Sequence, residues 1–103
     1  MIDKTRVDEL LSRMGEIESL LADPATSANQ QKYRGLLQEY ANLKELKVPA
    51  DRYFKLLREC DESRVLVEDT SSDDELRDMA RAELKRVEEE LPRAERALLI
   101  ALL

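Results

Sequence analysis

Apolar residues recur every three or four positions along most of the chain, which is the spacing of one face of an α-helix. The first stripe predicts helix 1 and consists of Val7, Leu10, Leu11, Met14, Ile17, Leu20 and Leu21. The helix is predicted to stop near Asp23-Pro24, because proline disfavours helical geometry in the residue before it and cannot donate to the preceding turn.

A second helix is predicted to begin at Ser27, because Ser27 and Gln30 have the spacing of a capping box. Its stripe is Tyr33, Leu36, Leu37, Tyr40, Leu43 and Leu46. The short connection favours an antiparallel hairpin of helices 1 and 2. The segment 48–51 is predicted to break the register, with Pro49 near the first position of a third helix.

Helices 3 and 4 are predicted on either side of a polar joint at residues 69–75. The less regular stripe of helix 3 consists of Tyr53, Leu56, Leu57, Cys60 and Val67. Ser72 and Glu75 repeat the capping spacing, so helix 4 is predicted to run from Ser72 to Leu91, about 30 Å at 1.5 Å per residue. Its stripe consists of Leu76, Met79, Ala80, Leu84, Val87 and Leu91.

The end of the chain departs from this regular pattern. Pro92 inside a helical pattern predicts a bend. Residues 98–100 and 102–103 are apolar around the whole helix, so we expect the chain to continue past Leu103 or this end to pair with another molecule, and continuation is favoured. The pattern predicts an all-α antiparallel bundle of three to four helices with a long C-terminal helix, in which residues 1–103 form a single helical domain.

Composition narrows the possible functions. The chain of 103 residues has no histidine and a single cysteine, Cys60. Ser-His and Cys-His nucleophiles and an intrachain disulfide are therefore excluded, which fits a reducing compartment. Cys60 lies on the helix 3 stripe and is expected to be a small buried hydrophobe. The sequence indicates no catalytic residue, cofactor or metal site, and it lacks an apolar run long enough to cross a membrane. We expect a cytoplasmic protein that is not an enzyme.

Charge is distributed unevenly along the chain. The net charge is −6, so affinity for nucleic acid requires a local patch. Residues 61–90 carry twelve acidic and five basic side chains, which suggests either repulsion from nucleic acid or a surface offered to a basic protein. A modest basic stretch surrounds the predicted corner between helices 2 and 3. The candidate contact residues for RNA phosphate or an acidic protein are Lys44, Lys47, Arg52 and Lys55, followed by Arg58; the alternative is an ordinary solvated corner.

Four segments in order resemble the N-terminal helical domain of bacterial class I peptide chain release factors. They are residues 20–24, which close helix 1, Tyr33-Arg34 and residues 39–43 in helix 2, and residues 74–80, which open helix 4. The leucine-rich end adds to the resemblance, which spans nearly all of the chain. No segment is specific alone, and the order and spacing of the set carry the similarity.

The resemblance implies a part of a factor that enters the ribosomal A site at a UAA or UAG stop codon and triggers hydrolysis of peptidyl-tRNA. In that family the codon-reading tripeptide and the Gly-Gly-Gln loop lie in later domains, and this chain has no Gly-Gly pair. The resemblance implies a docking module that, as part of the full-length factor, contacts the ribosome near the stalk base of the large subunit, with the class II release-factor GTPase as a possible further partner. No membrane or small-molecule substrate is expected.

The helical stripes and the apolar end also fit a function of a different class. A self-associating coiled-coil adaptor would use both features to pair with another copy of the chain. This alternative stays open at the level of sequence.

Overall fold

The computed structural model describes residues 2–103, and within that range it contains helices and short connections but no strand. The helices are α1 (Lys4–Ala22), α2 (Pro24–Ser27), α3 (Gln30–Glu68) and α4 (Asp74–Ala101). The predicted all-α fold with a long C-terminal helix is therefore confirmed.

The first helix ends where proline was predicted to stop it, and Asp23 is both the C-cap of α1 and the N-cap of α2. The backbone N–H of Asp23 donates to Leu20, while its side chain accepts from the backbone N–H of Ala25 at 3.0 Å and so caps α2. The predicted cap at Ser27 is wrong, because Ser27 belongs to α2 and its hydroxyl donates to the Pro24 carbonyl. Asn29 caps α3 instead.

The predicted break at residues 48–51 is also wrong. α3 is one helix of 39 residues that passes through Pro49 without ending. Proline removes one backbone hydrogen bond, but Leu46 and Ala50 on either side of it are buried in the main core. We attribute the continuity to this packing, which offsets the cost of the lost bond.

The start of α4 lies two residues later than predicted. Asp73, not Ser72, is its N-cap, and the Asp73 carboxylate accepts from the backbone N–H of Leu76 at 2.7 Å. The Ser72 hydroxyl instead donates to Asp69 across the turn. The helix continues past Pro92 to Ala101, so the predicted end at Leu91 is wrong, whereas the bend at Pro92 stays a prediction.

Two apolar clusters lie along α3. The first joins α1, α3 and the end of α4 and contains Val7, Met14, Ile17, Leu36, Leu43, Leu46, Ala50 and Leu98. The second joins only α3 and α4 and contains Leu56, Cys60, Val87 and Ala94. The buried position predicted for Cys60 is thus confirmed. Leu76 and Met79 were predicted on the core face of α4, but they are 42% and 65% exposed because the clusters end before this turn.

The molecule consequently has two parts. In the first part, α1 and the end of α4 pack against the first half of α3, and we call this part the base. Beyond the base, α3 and α4 alone form an antiparallel pair, which we call the arm. The predicted antiparallel packing of α1 is confirmed by side-chain contacts, since Lys4 approaches Phe54 while Arg13 approaches Glu39. The molecule measures 64 × 24 × 18 Å.

Candidate functional site

The candidate basic residues lie on the middle of one continuous helix instead of at a corner. Lys44, Lys47 and Lys55 share the face of α3 that points away from the buried residues, because their spacing corresponds to nearly whole helical turns. We call this surface the α3 basic face. Arg52 lies to the side of it, toward α4.

Three of the four candidate residues already have acidic partners. Lys47 forms an ion pair with Asp51 one turn later, and Arg52 reaches across to Glu90 on α4 at 3.1 Å. The Lys55 ammonium lies 4.0 Å from Glu59. These side chains are more than half exposed on the basic partner's side, so the pairs are weak and a phosphate or carboxylate of a partner molecule can replace the internal partner.

Lys44 differs from the other three because its contact is aromatic. Its ammonium lies 5.9 Å from the centre of the Tyr40 ring, in the range of a cation–π contact. The Tyr40 hydroxyl donates to Glu18 of α1 at 2.8 Å, and this hydrogen bond raises the pKa of Tyr40. Tyr40 is therefore a rim residue held between α1 and the α3 basic face.

Arg58 was part of the basic stretch in the sequence but was not among the four candidates. On a continuous helix it follows Lys44, Lys47 and Lys55 on the same face, and no ion pair or hydrogen bond of its side chain is present within residues 2–103. It lines a groove of about 270 Å³ together with Lys4, Asp8, Leu11, Asp51 and Phe54. Its spacing of three residues from Lys55 could have identified it, because both residues follow Pro49 in the same predicted helix.

A second groove, of about 130 Å³, lies between α3 and α4 and is lined by Arg52, Lys55, Leu56, Glu59, Arg86 and Glu90. Arg86 is its centre, because the guanidinium binds Glu59 on α3 as well as Glu83 and Glu90 on α4. Hydrogen bonds to Glu83 and Glu90 raise the pKa of Arg86. The hydrogen bond between Arg86 and Glu83 also lowers the pKa of Glu83. These ion pairs join α3 to α4 across the groove.

Two kinds of structural feature are absent from the part of the chain that the structure describes. No group of three or more His, Cys, Asp or Glu residues in residues 2–103 is arranged to hold a metal ion. None of the helices in that range is long and apolar enough to cross a membrane.

Comparison with known proteins identifies a matching domain family and several similar proteins. The PCRF domain family matches residues 10–103. Peptide chain release factor 1 of Pelobacter propionicus is 39% identical over 103 residues, which are 100% of this chain and 27% of that protein. The same-named protein of Geotalea uraniireducens is 37% identical over 95% of this chain and 26% of its own length, and that of Bacteroides thetaiotaomicron is 33% identical over 94% and 26%. The chain thus spans about a quarter of the length of these relatives. No solved structure gave a significant match.

Proposed function

The chain belongs to the PCRF domain family, and from this membership we propose that it is a non-catalytic docking domain of a translation termination factor. The observation that carries the proposal is the family match over residues 10–103, together with release factor 1 relatives that align along the whole chain. Residues 1–103 then form a single helical domain of a factor that directs peptidyl-tRNA hydrolysis at UAA and UAG codons. Codon reading and hydrolysis belong to other parts of such a factor.

The proposed partner is the ribosome, at the stalk base region of the large subunit, in the cytoplasm. The α3 basic face supports this proposal because it is exposed along the middle of the molecule and its cations can exchange weak internal partners for phosphate. The proposed contact residues are Lys44, Lys47, Arg52 and Lys55. Contact with the class II release-factor GTPase is part of the same proposal.

Ribosome pelleting tests the proposed contact. Reversing Lys44, Lys47, Arg52 and Lys55 to Glu should lower co-sedimentation and remove its salt dependence, because the phosphate contacts supply that dependence. A matched control reverses four exposed bases that lie outside the α3 basic face and have no ion pair within residues 2–103, namely Arg6, Lys32, Arg34 and Arg96. Both variants have the same net charge, so equal losses would remove the α3 basic face from the proposal. Absence of binding by the unaltered chain would contradict docking itself.

A second candidate function is a self-associating adaptor. Exposure of Leu99, Ile100 and Leu103, at 40%, 63% and 102%, favours it because these side chains form an uncovered apolar end of α4. Light scattering distinguishes the two functions. A discrete dimer that dissociates when Leu99 and Leu103 are changed to Asp would support the adaptor, whereas a monomer would support the docking domain.

A further inference from the structure

The free end of the arm carries four exposed apolar side chains, of which Val65 on α3 is 67% exposed. Leu66 near the end of α3 is 36% exposed, and Leu76 and Met79 in the first turns of α4 are 42% and 65% exposed. We call Leu66, Leu76 and Met79 the tip patch. It lies beyond the arm cluster of Leu56, Cys60, Val87 and Ala94.

The register of the arm brings the tip patch together on one side. The Arg86 guanidinium lies 3.2 Å from Glu59, and Arg77 donates two hydrogen bonds to the Val67 carbonyl. With α3 and α4 antiparallel in this register, Leu66 lies across from Met79. Leu76 precedes Met79 by nearly one turn, so it adjoins the same surface.

Negative charge surrounds the tip patch. Residues 61–83 contain nine acidic and three basic side chains. Glu62 and Glu83 lie one turn further along the arm from Leu66 and Met79, respectively, on the same side. Glu62, Asp74 and Glu75 form no side-chain ion pair or hydrogen bond within residues 2–103.

The three bases of this segment do not neutralise that rim. The Arg77 guanidinium donates its hydrogen bonds to the Val67 carbonyl. Arg64 forms an ion pair with Glu88, which lies toward the base. Arg81 pairs with Asp78. Glu83 pairs with Arg86, whereas Glu62, Asp74 and Glu75 have no such partner within residues 2–103. This acidic rim around exposed apolar side chains repels nucleic acid and also repels the same acidic surface of a second copy.

We propose that the tip patch binds a basic amphipathic segment of another protein, in which an apolar side chain inserts between Leu66 and Met79 while flanking Lys or Arg residues pair with Glu62 and Glu75. Apolar contact at the centre and complementary charge at the rim are the arrangement of specific protein interfaces. This surface goes beyond the docking function proposed above, since it lies on the acidic arm and includes none of the residues of the α3 basic face.

A defined peptide tests the proposal without knowledge of the natural partner. The probe is a fluorescent synthetic helix with leucines on one face and lysines on its flanks. Two matched peptides replace the leucines by serine or the lysines by glutamate. Only the peptide that carries both leucines and lysines should bind the chain. In NMR spectra of the ¹⁵N-labelled chain, the amide shifts that this peptide causes should be confined to residues 62–66 and 74–83.

Matched variants of the chain locate the binding. Changing Leu66 and Met79 together to Ser should weaken the affinity about tenfold or more, the result of losing one to two buried apolar contacts. Changing Leu37 and Val48 to Ser is the control, because these exposed apolar residues lie on α3 away from the tip. Glu62→Lys with Glu75→Lys, which leaves the patch itself intact, should weaken binding as well, and circular dichroism verifies folding of each variant.

Several results would overturn the proposal. Equal binding of the serine peptide would show charge attraction alone, and equal loss in the Leu37 and Val48 control would place the contact elsewhere. Shifts of the tip amides on adding single-stranded RNA would assign the surface to nucleic acid. A smaller sedimentation mass of the Leu66 and Met79 variant would assign it to a second copy. Ribosome pelleting of the same variant should stay unchanged, so failure of this proposal is distinguishable from failure of ribosome docking.

Discussion

Single polar side chains attach α1 to α3 at the base of the molecule. The Arg13 guanidinium binds both carboxylate oxygens of Glu39, at 2.8 and 3.2 Å, and also reaches Glu16 on its own helix. The hydrogen bond from Arg13 holds the pKa of Glu39 below its ordinary value. Because both side chains are substantially exposed, water screens this bridge and its contribution to stability is modest.

Changing Glu39 to Gln should slightly lower the thermal stability at neutral pH and should have no effect at low pH. The pKa of Glu39 is lower in the folded chain than its ordinary value of 4.5, so its stabilisation is complete above that value and is lost as the pH falls through the folded pKa. Melting curves of both chains across this range measure the difference. A gap between them that persists at low pH would show that Glu39 acts through something other than its charge.

The helix boundaries show which parts of the fold the sequence predicts. The apolar stripe of α1 and its end before Pro24 could be predicted, because the helical periodicity stops at the same place as the proline. At Pro49 the proline predicted a break, but the helix continues. We attribute this continuity to the burial of Leu46 and Ala50 by distant parts of the chain, which sequence spacing does not reveal. The sequence grouped the basic residues into one stretch, but their common face followed only from the continuity of α3 across Pro49.

The cap of α3 offers a direct test of a corrected boundary. Asn29 accepts a hydrogen bond from the backbone N–H of Lys32 at 3.1 Å, so Asn29→Ala should lower the free energy of unfolding by about 1 kcal/mol. Ser27→Ala should cost less, since the Ser27 hydroxyl does not cap α3. Urea unfolding followed by circular dichroism measures both. A larger loss for Ser27→Ala would restore Ser27 as the cap.

Pro92 interrupts the hydrogen bonds of α4, and its side chain is exposed. Pro92→Ala should therefore raise the free energy of unfolding by roughly 1–3 kcal/mol, because alanine restores a backbone donor and removes the clash with the preceding turn. Pro49→Ala is the comparison and should gain less, since the Pro49 ring is partly buried and alanine loses packing. Chemical denaturation measures both gains. A destabilised Pro92→Ala chain would mean that the proline sets a bend on which packing depends.

The elongated shape separates regions of different stability. The radius of gyration is 19.4 Å, against roughly 13 Å for a compact domain of this length. Three helices share the core at the base, whereas the arm depends on a small cluster and on ion pairs around Arg86. The α3 basic face therefore lies on the middle of α3, where the base and the arm meet, while the tip patch lies at the end of the arm, which has fewer buried neighbours.

Hydrogen exchange should consequently follow a gradient along α3. Backbone amides of residues 43–50 should exchange slowest, because opening them requires separation of all three helices, whereas amides of residues 62–66 should exchange through local opening of the arm. Val87→Ala, which removes a fully buried side chain of the arm, should accelerate exchange at residues 62–66 more than at residues 43–50. Ile17→Ala at the base is the matched control and should act in the opposite order. Uniform acceleration of both segments by either variant would show that base and arm unfold as one cooperative unit, in which case a partner bound at the tip would stabilise the α3 basic face as well.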